Sequence, residues 1–156
     1  LDSNSTQEDI QKILTEYGIK SNIQHSKLNI KNLSNVSLVL WGSGSPKREF
    51  LHVNDMAAAA LFVLELDEEI YRSNTKPMLS HINVGTGKDV TIKEMAETMK
   101  QVVGFKGDLT FDTTRHDGSP RKLINVSRLS NMGWNCSITL EDGLKETYKW
   151  FLNNKE

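Results

Sequence analysis

The apolar residues of this chain come in short runs, and that feature restricts its fold more than any other. The longest, Met56–Leu64, holds nine residues, whereas a helix needs about 20 to cross a bilayer. No membrane span is expected, and no basic-then-apolar start reads as a secretory signal. Turn and capping residues bound each run, so short strands and short helices must interleave. A chain of 156 residues has room for one domain with one core. The expected fold class is α/β, in the form of a small α+β lobe rather than a helical bundle.

The pattern can be followed along the chain. Ser5 and Glu8 have capping-box spacing and open a helix with Ile10, Ile13, Leu14 and Tyr17 on one face, ended by Gly18. Residues 21–37 are polar and read as a loop, a weak strand or a linker. Ser37–Leu40 is a strand closed by Trp41 and a tight Gly42–Pro46 loop. Phe50, Leu51 and Val53 read as a second extended piece, and Asn54 or Asp55 as the cap of a helix to about Leu66. That helix is apolar nearly all round, so it should be covered on most sides. Ile82–Val84 reads as a strand ending in Gly85-Thr86-Gly87. Thr91 and Glu94 form a second capping box; Ile92, Met95, Met99, Val102 and Val103 make the buried stripe, and Gly104 the stop. Leu109–Phe111 is a strand and 117–120 a turn. Ser127 caps a short helix ended by Gly133. Thr139 and Asp142 open the last helix, with Leu140, Leu144, Tyr148 and Phe151 inward.

A net charge of -1 gives no general attraction to nucleic acid or to an anionic membrane. One cysteine, Cys136, excludes a disulfide framework and a cysteine-rich zinc site, and fits a cytoplasmic protein. It has no activating neighbour in sequence and reads as a structural thiol. The four histidines show no metal-ligand spacing; His52 reads as packed and hydrogen-bonded.

Two clusters stand out. In Trp41-Gly-Ser-Gly-Ser-Pro-Lys-Arg48, a glycine loop lets backbone approach a ligand, Arg48 offers a planar fork for phosphate oxygens, and Trp41 a flat apolar face. On residue type alone the plainer reading prevails: a Gly-Ser turn with a core-edge tryptophan and a solvated arginine. In Asp117-Gly-Ser-Pro-Arg-Lys122, adjacent cations can clamp a phosphate, or the segment is a solvated surface turn. Gly85-Thr86-Gly87 fails the three-glycine dinucleotide fingerprint, because Val90 stands at the third position.

The run Arg48-Glu-Phe-Leu-His-Val-Asn-Asp55 resembles a block of the extended short-chain dehydrogenases that act on nucleotide sugars. Ile82-Asn-Val-Gly-Thr-Gly87 with Thr91 and Glu94 is similar to a second. Together with Trp41-Gly-Ser-Gly-Ser-Pro, Pro77-Met-Leu-Ser-His-Ile, Asp117-Gly-Ser-Pro-Arg-Lys and Met132-Gly-Trp134, the set resembles the GDP-L-fucose synthase family from about Ser37 to Asn153. The resemblance implies an NADPH-dependent epimerase and reductase converting GDP-4-keto-6-deoxy-D-mannose to GDP-L-fucose. It places Trp41 in the nucleotide pocket, Arg48 and Lys122 on the diphosphate, Asp117 with the Gly118–Pro120 turn on the same wall, and Asp55 as a helix cap.

The family's amino-terminal Rossmann part carries the dinucleotide loop, the Tyr-x-x-x-Lys pair and the proton-moving cysteine and histidine. None of these matches here: Ser21, Thr75 and Leu152 stand four residues after Tyr17, Tyr71 and Tyr148. No catalytic, cofactor-binding or metal residue is therefore assigned, and NADPH is expected only in the complete, homodimeric enzyme. The implied division is 1–36, a divergent segment with one helix and a polar linker, and 37–156, a substrate-binding domain with an uncovered apolar face. The alternatives are a lobe of another nucleotide-sugar epimerase or dehydratase, and a degenerate non-catalytic binding module.

Overall fold

The computed structural model describes residues 6–21 and 36–154. In chain order the elements are α1 (Gln7–Glu16), β1 (Ile19–Ser21), β2 (Val36–Trp41), β3 (Lys47–Glu49), α2 (Val53–Leu64), α3 (Glu68–Asn74), β4 (Asp89–Thr91), α4 (Ile92–Val103), β5 (Asp108–Asp112), β6 (Arg121–Lys122), α5 (Ser127–Asn131) and α6 (Leu140–Asn153). The architecture is mixed α/β with two small three-stranded sheets. In the first, the order is β1-β2-β5, with β1 antiparallel and β5 parallel to β2. In the second, the order is β4-β3-β6, with β4 antiparallel and β6 parallel to β3.

Helix α4 forms where expected. Thr91 Oγ1 accepts the Glu94 N–H at 3.0 Å, and the Glu94 carboxylate accepts the Thr91 N–H at 2.7 Å. Gly104, with φ 71°, ends the helix in the left-handed conformation that glycine adopts without a Cβ penalty. The α4 stripe faces the first sheet: Ile92, Met95 and Met99 share an apolar crevice of about 300 Å³ with Leu38, Leu40 and Leu109. Helix α6, capped by Thr139, packs against α4.

Several local expectations are corrected. The first capping box is Thr6–Asp9, one residue later than Ser5–Glu8; Ser5 lies outside the described residues. The spacing of three is the same, and the Asp9 carboxylate reaches back to the Thr6 N–H. Tyr17 is the C-cap of α1 and is exposed. The polar stretch read as a linker contains the end of β1 at Ser21, while residues 22–35 lie outside the described residues.

The second strand runs over Lys47–Glu49 rather than Phe50–Val53, because both ladder partners end there. Ile82–Val84 joins no ladder; Asp89–Thr91 pairs with β3 instead. The cap of α2 is His52, whose Nδ1 accepts the Asn54 N–H at 3.3 Å. His52 is thus hydrogen-bonded, but at a helix start and not in a strand. Ser127 is the first residue of α5, following a Val126 cap that makes no side-chain bond. Phe151 is exposed, whereas Leu140, Leu144 and Tyr148 are half-buried.

Asp55 does not cap α2. It is 4% exposed, and its carboxylate crosses to accept the Ser137 N–H and hydroxyl and the Ile138 N–H. This cross-link holds the chain entering α6 against the first turn of α2. Burial alone would raise the Asp55 pKa; the bonds from Ile138 and Ser137, with His52 nearby, outweigh it and leave the pKa below its ordinary value. The rest of α2 is not covered as its all-round apolar sequence led us to expect. Asp55 and Ala59 are buried, but Val53, Met56, Leu61 and Leu64 are exposed, since no described element lies over them. No helix among the described residues is long and apolar enough to cross a membrane.

Candidate nucleotide-binding loops

Strand β3 is the hub of the site. It is the central strand of the second sheet, and successive side chains on it point to opposite faces. Lys47 is opposite Arg121, and Arg48 opposite Lys122. Lys47 and Arg121 therefore share one face, Arg48 and Lys122 the other. On the first face Arg121 is engaged by the Asp89 carboxylate. The hydrogen bond between them lowers the pKa of Asp89 and raises that of Arg121. On the second face Lys122 is exposed. Arg48 is half-buried, and its Nη1 donates to the carbonyls of Lys47 at 2.6 Å and Ser119 at 2.8 Å. Those bonds fix the guanidinium beneath the 117–120 loop.

The same loop is tied to the segment after Trp41. The Asp117 carboxylate accepts the Ser43 N–H at 2.8 Å and the Ser43 hydroxyl at 2.6 Å. The hydroxyl bond, then the backbone bond, holds the Asp117 pKa below its usual value. Gly42, with φ 85°, lies so close that a Cβ there would strike the Asp117 carboxylate. A side chain at Gly42 would thus be both strained and obstructed. Ser43, two residues after Trp41, is thus bonded to Asp117, and Arg48 to Ser119 two residues further along the same loop.

Trp41 ends β2 in register with Asp112 of β5 and is 73% exposed. The Arg115 guanidinium lies 5.0 Å from its ring centroid, within cation–π range. The structure thus brings Arg48 and Lys122 together on one face. Through Asp117 it joins them to the loop that carries Trp41. The Asp117 oxygens are engaged by Ser43 rather than turned outward.

The structure adds two residues that sequence reasoning did not single out. Arg115 sits in a Thr-Thr-Arg-His turn with no motif to mark it, and only its position beyond the β2–β5 register reveals it. Glu49 was hidden inside the family block: its carboxylate accepts the N–H groups of Thr86, Gly87 and Ile124. It thereby ties β3 to the Gly85–Gly87 turn and to the segment just after Lys122.

That arrangement also tests whether the Gly85-Thr86-Gly87 turn fits a dinucleotide. A phosphate there would need the free amides of the turn. The Thr86 and Gly87 amides both point at Glu49 Oε1, each at 2.6 Å. The residues do not fit a nicotinamide cofactor at this turn. Beside it is a cleft of about 270 Å³ lined by Arg48, Phe50, Lys88, Cys136, Thr139 and Leu140 among others; Cys136 is half-buried and not in a disulfide.

The pattern of the NAD dependent epimerase/dehydratase family matches residues 17–85. GDP-L-fucose synthase of Escherichia coli K12 is 58% identical over 119 residues, 76% of this chain and 37% of that protein. The chain therefore spans little more than a third of the length of this curated relative. Among solved structures, a GDP-6-OMe-4-keto-L-xylo-heptose reductase from C. jejuni superposes with a TM-score of 0.77 at 31% identity, covering 97% of this chain and 40% of that one. A GDP-mannoheptose C4 reductase from Campylobacter jejuni with NADP bound gives 0.64 at 38% identity, covering 74% and 35%.

Proposed function

We propose that this chain, a partial homologue of GDP-L-fucose synthase, is the part of such an enzyme that holds the nucleotide of a GDP-sugar, with residues 37–156 as its substrate-binding domain. The observation that carries the reading is the pairing of Arg48 with Lys122 on one face of the β3–β6 ladder, tied through Asp117 to the loop after exposed Trp41. Two cations on one face suit a diphosphate, and a guanidinium already anchored on backbone carbonyls loses little freedom on binding. Trp41 gives the nucleoside a flat surface. Asp117 holds the loops and is not itself turned to the ligand. The three relatives described above are named for GDP-sugars, which supports the choice of base.

In the complete enzyme the proposed reaction is conversion of GDP-4-keto-6-deoxy-D-mannose to GDP-L-fucose with NADPH. This chain's share is binding: charge neutralised on the remote diphosphate holds the keto-sugar in place for chemistry elsewhere. A homologous lobe for another nucleotide sugar, such as that of a UDP- or dTDP-sugar epimerase, is the second reading, favoured by the match to the general NAD dependent epimerase/dehydratase pattern, which is not particular to one nucleotide.

Isothermal titration with GDP, UDP and NADPH tests the proposal. GDP-selective binding is expected, and Arg48→Ala or Lys122→Ala should each weaken it by about tenfold or more, the scale of a charge-assisted hydrogen bond. UDP preferred over GDP would favour the second reading. Affinity unmoved by both substitutions would remove the assigned site.

A further inference from the structure

We infer that Glu49 is a positioning residue for the diphosphate: it holds the chain just past Lys122 and so sets where that ammonium stands beside the Arg48 guanidinium. The inference rests on the nucleotide-binding reading above and deepens it from two cations on one face to the group that spaces them.

Lys122 reaches Arg48 through a short piece of ladder. Strands β3 and β6 pair Lys47 with Arg121 and Arg48 with Lys122. Before Lys122 the chain is held by the Lys47 N–H on the Pro120 carbonyl, at 2.8 Å, and by Arg121 on Asp89. After Lys122 the ladder has ended, and the Glu49 side chain continues it: Oε2 accepts the Ile124 N–H at 3.2 Å. The other oxygen, Oε1, accepts the Thr86 and Gly87 amides and the Thr86 hydroxyl. A single carboxylate on the central strand thus grips the turn leading into β4 and the chain leaving β6. The three pieces meet closely: a Cβ on Gly85 would strike both the Glu49 carboxylate and the Ile124 side chain.

Neighbouring positions on a strand face opposite ways, so Glu49 works from behind the face that carries Arg48 and Lys122. It is half-buried, and its oxygens are taken by the donors just named, so it is not itself a ligand contact. Arg48 is already fixed by the Lys47 and Ser119 carbonyls. Lys122 is exposed and has a flexible stem, so its place is set by its backbone, and Glu49 holds that backbone.

The charge of Glu49 separates positioning from plain electrostatics by sign. A carboxylate near a diphosphate repels it, so removing the charge alone would tighten binding. Losing the positioning would weaken it. Glu49→Gln removes the charge and keeps the shape. Its amide oxygen still serves Thr86 and Gly87, but its NH2 then meets the Ile124 N–H, donor against donor.

The experiment is titration of the 156-residue chain with GDP, for wild type, Glu49→Gln, Lys122→Ala and the double variant, with circular dichroism to confirm each fold. Glu49→Gln should weaken GDP by about fivefold or more, but by less than about twofold in the Lys122→Ala background, the non-additivity of residues that act together. Glu49→Asp keeps the charge and is too short to span both partners. It should weaken GDP as well, and it carries the test if Glu49→Gln does not fold. GDP bound by Glu49→Gln as tightly as by wild type, or more tightly, overturns the inference. So does an equal loss with and without Lys122. Both results leave the nucleotide reading standing, provided wild type binds GDP and Lys122→Ala weakens it. A wild type that binds no GDP, or a Lys122→Ala chain that binds it unchanged, overturns the diphosphate site and takes this inference with it.

Discussion

The loops around β3 and the helix α2 are neighbours in sequence and opposites in construction. Around β3 the ordering is polar. Glu49 takes three amides, Asp117 takes an amide and a hydroxyl, and Arg48 takes two carbonyls. Few of those side chains are deeply buried, yet each has one direction set by its partner. On α2 the ordering is apolar and incomplete: Leu64 is 80% exposed, and Val53, Met56 and Leu61 are also exposed. One buried carboxylate, Asp55, ties its first turn to the chain entering α6. Each hydrogen bond fixes one direction through its own partner, even where that partner is 37 to 75 residues away in sequence. An apolar face is ordered only by a second surface, and the described part of this chain supplies little of one to α2.

The largest way to break the contrast is at the tether itself. Asp55→Ala removes a buried acceptor of bonds from Ser137 and Ile138 and leaves those donors unpaired. Thermal or denaturant unfolding should show a loss of about 2–3 kcal/mol. A loss under about 0.5 kcal/mol would mean that α2 is held by something other than this cross-link.

Acidification probes the same carboxylate more gently. Its folded-state pKa lies below the ordinary 3.8, so the unfolded chain takes up the proton first. The stability Asp55 contributes is fully present above about pH 4 and is lost as pH falls through the folded value. Asp55→Asn should therefore be less stable than wild type near neutrality, and should lose less of its stability between about pH 4 and pH 2. Parallel acid profiles for the two proteins would show that Asp55 is not lowered by its partners.

The smallest effect belongs to the open face. Leu61→Lys with Leu64→Glu on α2 should change unfolding free energy by no more than about 0.5 kcal/mol, while reducing any concentration-dependent association seen by light scattering. A cost above about 1.5 kcal/mol would show that the face is covered in solution, and the contrast between the two regions would then be one of degree.

Much of the fold was legible because its signals are local. The Thr91–Glu94 box, the Gly104 stop, the Thr139 cap and the β2 and β5 strands depend on residues three or four apart, or on one short apolar run, and all form as read. The misreadings share a different character. Phe50–Val53 looks more like a strand than Lys47–Glu49, but ladder partners decided which residues pair. Asp55 looks like a cap until Ser137, 82 residues away, claims it. Ile82–Val84 has strand composition and no ladder partner among the described residues.

The site divides along the same line. The residues Trp41, Arg48, Asp117 and Lys122 came from motif and resemblance, with no account of how they meet. Their convergence comes from the parallel β3–β6 pairing and the Ser43–Asp117 bonds. Arg115 carried no signal at all, because its place over Trp41 depends on the β2–β5 register.

By itself the sequence determined where helices start and stop, that the elements are short and mixed, and which side chains carry charge or a flat ring. Those are properties of neighbouring residues and of residue type. Tertiary structure alone decided which carboxylates are spent on backbone amides, which cations share a face, and which apolar face stays open. Each of these depends on a partner dozens of residues distant, and chain closure, not local propensity, brings that partner into reach.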